Sequence, residues 1–287
     1  TRRAGESDFE TPEAVKQAAI AAIVGGKTRY TAPHGIAELR KAVAEWFERE
    51  FGLKYEPGNV TVSAGVKQGL FHLMLAVVRQ GDEVIIPSPY WVSYPEMARI
   101  AGGVPVLLPD QGGFKLSLDE IKRRLSGKTR LLVLNSPNNP CGGMYTRAEM
   151  EAVARLLEGS SVLVASDEIY SSLVYDGAGF TSFAALSPDA FRRTITFNGL
   201  SKSHAMTGWR VGFAAGDPAI IEALGILQAQ SSTHITSFVQ NAAVASPQPG
   251  SIDFPPRLRQ MQERRGRAAR VLTHSPHPKT EGPTGAF

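Results

Sequence analysis

The stretch Thr194-Ile195-Thr196-Phe197-Asn198-Gly199-Leu200-Ser201-Lys202 leads, after a short gap, into Met206-Thr207-Gly208-Trp209-Arg210-Val211-Gly212. Residues 194–197 read as a strand, and Gly199 and Ser201 turn the chain tightly behind it. An amine follows the turn, and a guanidinium follows the amine eight positions later. An amine in that position can form a Schiff base with a carbonyl cofactor, and a fixed cation close by can hold the cofactor's phosphate. A lone Ser-Lys pair would read as surface loop; the whole window reverses that.

Outward from this window, strand-like and helix-like patterns alternate. The runs 84–86, 104–108, 131–134 and 162–165 are short and continuously apolar, as in strands buried on both faces. Between them, segment 66–79 carries Leu70, Leu73, Met74, Val77 and Val78 on one helical stripe. Thr146 with Glu149 forms a capping box, and Pro188 and Pro218 mark breaks between elements. The alternation predicts an α/β fold, a mostly parallel sheet with helices on its faces. No internal repeat or low-complexity linker interrupts it.

Composition agrees. A chain of 287 residues with 43% hydrophobic and 20% charged content has ample core for a globular protein. Its single cysteine, Cys141, excludes an internal disulfide and suits a reducing, cytoplasmic setting. No apolar run reaches membrane-spanning length, and the start does not read as a signal peptide. Net charge is +4, with the basic residues gathered in 257–270, which reads as a solvated helix face rather than a nucleic-acid surface. The chain opens on Thr1 rather than Met and closes on Thr284-Gly285-Ala286-Phe287, apolar residues that lead toward a strand. Both ends read as cuts.

In an open parallel sheet, ligands bind beyond the carboxyl ends of the strands, and the informative residues fall there. Ser63-Ala64-Gly65-Val66-Lys67 follows one strand and opens a helix, offering free amides to a phosphate. Asp167, in Ala165-Ser166-Asp167-Glu168-Ile169-Tyr170, ends another, at a depth where a carboxylate requires a cation. Asn135-Ser136-Pro137-Asn138-Asn139-Pro140-Cys141-Gly142 follows a third, and Ser88-Pro89-Tyr90-Trp91 a fourth.

With these motifs in place, the chain resembles, over nearly its whole length, the class I/II aminotransferases of fold type I, which use pyridoxal 5′-phosphate. The resemblance implies a three-layer α/β/α large domain at 13–255, with small α+β domain fragments at 1–12 and 256–287. It implies that Lys202 bonds the cofactor and moves the substrate proton, and that Asp167 holds the ring nitrogen protonated. Tyr170 and Asn139 would bond the ring oxygen, Trp91 would stack on the ring, and Arg210 with the Gly65, Val66 and Lys67 amides would hold the phosphate. Asn139, Trp91 and Gly5 would meet the substrate, and Tyr30 would reach the cofactor phosphate of a neighbouring subunit, which implies a homodimer. Gly65-Val66-Lys67-Gln68 is similar to the segment that binds the distal carboxylate of acidic substrates in the bacterial aspartate and prephenate branch. The expected reaction moves an amino group from aspartate or glutamate to a 2-oxo acid. The rivals are a different donor, aromatic or other, and a binding domain of the same fold without turnover.

Departures from the family pattern are Cys141 where Thr is customary, Ser7 where Pro is, and Val66 where a second Gly is. Cys141 reads as packing. The substrate-carboxylate arginine of the family has no counterpart before Phe287, so the chain as written is expected to bind cofactor but transaminate little. Gly127-Lys128-Thr129 and Gly26-Lys27-Thr28 lack the earlier glycine of a P-loop, and the six histidines show no metal-ligand spacing. His204 reads as a variable loop residue rather than a catalytic base.

Overall fold

In a computed structural model, the described residues are 6–110, 112, 114–248, 252, 254–273 and 283–286. Seven strands form one sheet: β1 (Val60–Ser63), β2 (Glu83–Pro87), β3 (Val104–Leu108), β4 (Thr129–Asn135), β5 (Leu163–Asp167), β6 (Thr194–Gly199) and β7 (Gly212–Ala215). Their order across the sheet is β1-β7-β6-β5-β4-β2-β3. Neighbours from β6 to β3 run parallel, whereas β7 is antiparallel to both β6 and β1. The helices are α1 (Glu13–Val24), α2 (Ala37–Phe51), α3 (Val66–Val77), α4 (Ser93–Ile100), α5 (Leu118–Arg124) and α6 (Arg147–Leu157). They continue with α7 (Pro188–Arg193), α8 (Leu200–Ser203), α9 (Pro218–Ser231), α10 (Ser237–Ala243) and α11 (Phe254–Thr273).

The strand period of two sorts side chains between two cores. Leu131 and Val133 of β4 pack with α3, α4 and α9, while Leu132 and Leu134 pack with α6 and Ile121 of α5. Val60 and Val62 of β1 meet α1, α2 and α10 in a third cluster. The result is three layers, α/β/α, as expected. Burying a Leu or Val side chain stabilises by about 1.5–3 kcal/mol, so these doubly covered strands make the sheet the rigid frame of the site.

One strand departs from expectation. β3 was read as buried on both faces, but it is the sheet edge, with Val104 50% and Leu107 38% exposed. An edge strand has one neighbour, and an apolar run does not show on which side the sheet stops. The predicted 66–79 helix ends at Val77; Val78 turns extended and the Arg79 amide donates to Asp82 Oδ2 at 2.9 Å. The Thr146 capping box forms as read, and Pro188 and Pro218 each start a helix. Near the end of the chain, Gly285 bridges Val174 and the Ala286 amide donates to the Leu173 carbonyl.

Candidate active site

Six strands end at, and β7 begins at, one side of the sheet, and the predicted residues other than Tyr30 and Gly5 meet there around a cavity of about 810 Å³. Gly65, Val66, Lys67, Trp91, Asn139, Asp167, Tyr170, Lys202 and Arg210 all line it. Tyr30 does not; it is 88% exposed, its ring edge against His234. Gly5 lies outside the described residues.

At one end, β1 passes into α3 through Gly65, whose φ of +79° is a conformation in which other residues are strained. A Cβ there would sit 2.5 Å from Arg210 Nη2. Gly212 is required for closeness instead, since a Cβ on it would lie 2.3 Å from the Val66 amide nitrogen. The start of α3 has no side-chain cap, so its first amides face the cavity unclaimed by a side chain. Arg210, itself left-handed at φ 59°, is fixed by donating to the Thr207 carbonyl at 2.8 Å and the Ala64 carbonyl at 3.1 Å. Together these groups make an anion cradle.

At the opposite, buried end stands Asp167. Tyr94 Oη donates to its Oδ2 at 2.7 Å and the Ile169 amide to its Oδ1 at 3.3 Å. Burial pushes its carboxyl up to about 6, with the Tyr94 hydrogen bond the first of the opposing influences. Asn135, at the end of β4, organises this region: Nδ2 donates to the Asp167 carbonyl at 2.9 Å, and Oδ1 accepts from the Asn139 amide at 2.8 Å. The Asn139 side chain is in turn hydrogen-bonded to Tyr170. Between the two ends, Lys202 Nζ lies 5.5 Å from the centre of the Tyr170 ring. Burial lowers the Lys202 pKa, opposed by the charges of Glu6 and Asp167 and assisted by that of Arg210. Across the cavity, Lys67 Nζ stands 5.1 Å from the centre of the Trp91 ring, which meets Tyr94 edge-on.

The chain matches the family model of aminotransferase class I and II over residues 3–277. It is 44% identical over 288 residues to the aspartate/prephenate aminotransferase of Cereibacter sphaeroides, covering 99% of this chain and 72% of that one. It is also 44% identical over 245 residues to the aspartate aminotransferase of Geobacillus stearothermophilus, covering 85% of this chain and 62% of that one. Among solved structures, the aspartate aminotransferase from Rhizobium meliloti superposes with a TM-score of 0.95 at 41% identity, covering 99% and 72%.

The chain belongs to the aminotransferase class I and II family.

Its architecture is that of the pyridoxal-phosphate-dependent transaminases of fold type I. Within this aminotransferase site, the sequence reading passed over Tyr94, Asn135, Glu6 and Thr207, all cavity residues. Asn135 had a signal, being the first polar residue after the apolar run of its strand. Tyr94 lies one helical turn beyond Trp91, with its amide donating to the Trp91 carbonyl at 3.1 Å. Glu6, which accepts from Thr207 Oγ1 at 3.0 Å, comes from a distant part of the chain and had none. His204 is a correction: it was read as a loop residue, but it is 8% exposed and closes the turn that carries Lys202. Cys141, expected to pack, is exposed instead; its thiol donates to Asn138 Oδ1 at 3.1 Å, and partial desolvation pushes its pKa up. Among the described residues, no helix is long and apolar enough to cross a membrane.

Proposed function

We propose that this aminotransferase chain holds pyridoxal 5′-phosphate and moves the amino group of an acidic amino acid, aspartate or glutamate, to a 2-oxo acid. The observation that carries the reading is the convergence of Lys202, Asp167, Tyr170, Asn139, Trp91 and Arg210 on one cavity with the open start of α3.

The donor set fits the cofactor at both ends. A Cβ at position 65 would press on the Arg210 guanidinium, so glycine keeps the cradle open where a phosphate would lie. At the buried end, the donors to Asp167 are a tyrosine hydroxyl and a backbone amide, both neutral. A protonated ring nitrogen supplies the cation that a buried carboxylate requires. When bound, the cofactor supplies a sink for the electron pair left on the substrate α-carbon.

The rest belongs to the protein. Asp167 would keep the ring nitrogen charged, Tyr170 and Asn139 would bond the ring oxygen, and Trp91 would cover one face. Lys202 is the amine that would hold the cofactor covalently. Its Nζ is also the group that would take the proton from the substrate α-carbon, a role that a burial-lowered pKa favours. Lys67, exposed on the cavity wall beside Trp91, is suited to the distal carboxylate of an acidic donor. The names of both curated relatives support that donor class.

The same reading assigns 13–255 to the cofactor domain and the flanks 1–12 and 256–287 to a smaller one. Contacts between the flanks support this: Arg264 Nη1 donates to Asp8 Oδ1 at 2.6 Å, and Arg257 and Arg264 lie over the Phe9 ring. A homodimer and a cytoplasmic setting complete it.

Borohydride reduction of the cofactor-loaded protein, followed by peptide mapping, tests the core of the proposal. The label is expected on Lys202; a label elsewhere, or none, overturns it and favours a binding domain without turnover. Lys67→Ala is expected to weaken aspartate use at least about tenfold, the scale of a lost charge-assisted hydrogen bond, while an apolar donor is nearly unaffected. Equal losses would assign Lys67 to the phosphate or the fold instead.

A further inference from the structure

Lys202 sits on α8, a single turn of four residues, Leu200–Ser203. One helical turn has no stability of its own, so neighbouring groups must hold it. His204 ends the turn, its amide donating to the Leu200 carbonyl at 3.1 Å. Its ring is buried and both nitrogens are engaged. Nδ1 lies 2.8 Å from Ser203 Oγ, and Nε2 lies 3.1 Å from the Ser246 carbonyl oxygen.

A carbonyl can only accept, so Nε2 carries the proton, and Nδ1 accepts from the Ser203 hydroxyl. Burial, with the Arg257 charge nearby, lowers the ring's pKa to about 4, the Ser246 bond opposing. The ring therefore stays neutral in one tautomer at neutral pH and is not a proton carrier. It is a cross-tie, joining Ser203, the residue after Lys202, to a carbonyl just beyond α10, 42 residues along the chain from His204.

We propose that His204 is a positioning residue for Lys202: its two ring bonds fix the rotation of α8 and so aim the Lys202 amine into the cavity. The second tie of this loop is independent. Thr11 Oγ1 donates to the Ala205 carbonyl and accepts from Trp209 Nε1, each at 3.1 Å, which anchors the stretch beyond His204. The Met206 amide donates to the Ser201 carbonyl at 3.2 Å and Leu200 is buried in the core, so that the histidine supplies the side-chain tie of the turn's end. The proposal rests on the reading of Lys202 as the amine that condenses with the cofactor aldehyde, water leaving.

The test compares two cofactor forms on the full chain, stripped of cofactor and retitrated. Pyridoxal phosphate can bond Lys202; pyridoxamine phosphate, which has no aldehyde, reports the cradle and ring contacts alone. His204→Phe keeps the bulk and loses both bonds. It is expected to weaken pyridoxal phosphate about tenfold, and to change pyridoxamine phosphate by less than about twofold. His204→Gln, whose amide can reach the Ser246 carbonyl, is expected to recover most of the loss. If both cofactor forms weaken together, or neither does, or glutamine fails to rescue, His204 is a packing residue and the proposal is overturned. Absence of a borohydride-trapped label on Lys202 in the unsubstituted chain would instead sink the underlying reading of the site, and is recognisable as such.

Discussion

At the scale of single residues, the site is defined by charges placed where water is scarce. Burial pushes Asp167 up to about 6 from an ordinary 3.8, and the adjacent Glu168 up to about 7 from 4.5. Ser166 and Ser182 hydroxyls both donate to Glu168 Oε1, at 2.8 and 2.7 Å, and oppose its shift without cancelling it. A carboxyl that holds its proton more tightly folded than unfolded favours the folded state at low pH. For Asp167 that contribution is fully present below its unfolded value and is lost as pH rises through its folded value of about 6. Asp167→Asn removes the titration while keeping the shape. In cofactor-free protein, the gain in unfolding temperature over the unsubstituted chain is therefore expected to grow between about pH 4 and about pH 6 and to level off above about pH 7. A gain independent of pH would mean that Asp167 is not held protonated by burial. Cofactor should reverse the order at neutral pH, because a ring cation restores the charged carboxylate. Asp167 was legible in the sequence as a carboxylate at the end of an apolar strand, where the cost of burying a charge demands a purpose. Its partner Tyr94 was not, because nothing local marks which tyrosine of an aromatic string turns inward.

Elements carry these residues to one place through strand ends and tight turns. The turn from β1 to α3 depends on Gly65, for its left-handed backbone and for the space that Arg210 occupies. Gly65→Ala is expected to displace Arg210 from the Ala64 carbonyl and to weaken pyridoxal phosphate about tenfold or more. Gly26 is the control. Its φ is +72°, and nothing lies within 4 Å of where its Cβ would be. Gly26→Ala should therefore lose stability from backbone strain without losing cofactor affinity, as read by melting and by titration. Comparable affinity losses in both variants would show that strain, not the cradle, explains the Gly65 effect. Periodicity revealed α3 and the capping box revealed α6, because both signals are local. The edge position of β3 was hidden, because strand order depends on partners distant in sequence.

At the scale of the molecule, the proposed homodimer gives the exposed apolar face of α1 a role. Ile20, Ile23 and Val24 lie on one face of α1 and are 53%, 49% and 83% exposed, with Tyr30 six residues beyond the helix end. Light scattering is expected to give twice the chain mass. Val24→Asp is expected to yield monomers that bind pyridoxal phosphate more weakly, since Tyr30 would no longer reach a neighbour's phosphate. A monomer of unaltered affinity would overturn this role for Tyr30. Across all three scales, the sequence by itself determined the layered α/β class, the amine and arginine that follow β6, and the carboxylate that ends β5. Each is written in a contiguous window, as apolar periodicity, a turn or a strand end. Only the tertiary structure decided that Glu6 meets Thr207, that Asn135 ties Asp167 to Asn139, and that His204 is a buried brace behind Lys202. Those relations join segments brought together by packing of the sheet, and a hydrogen bond between distant segments leaves no pattern in either one.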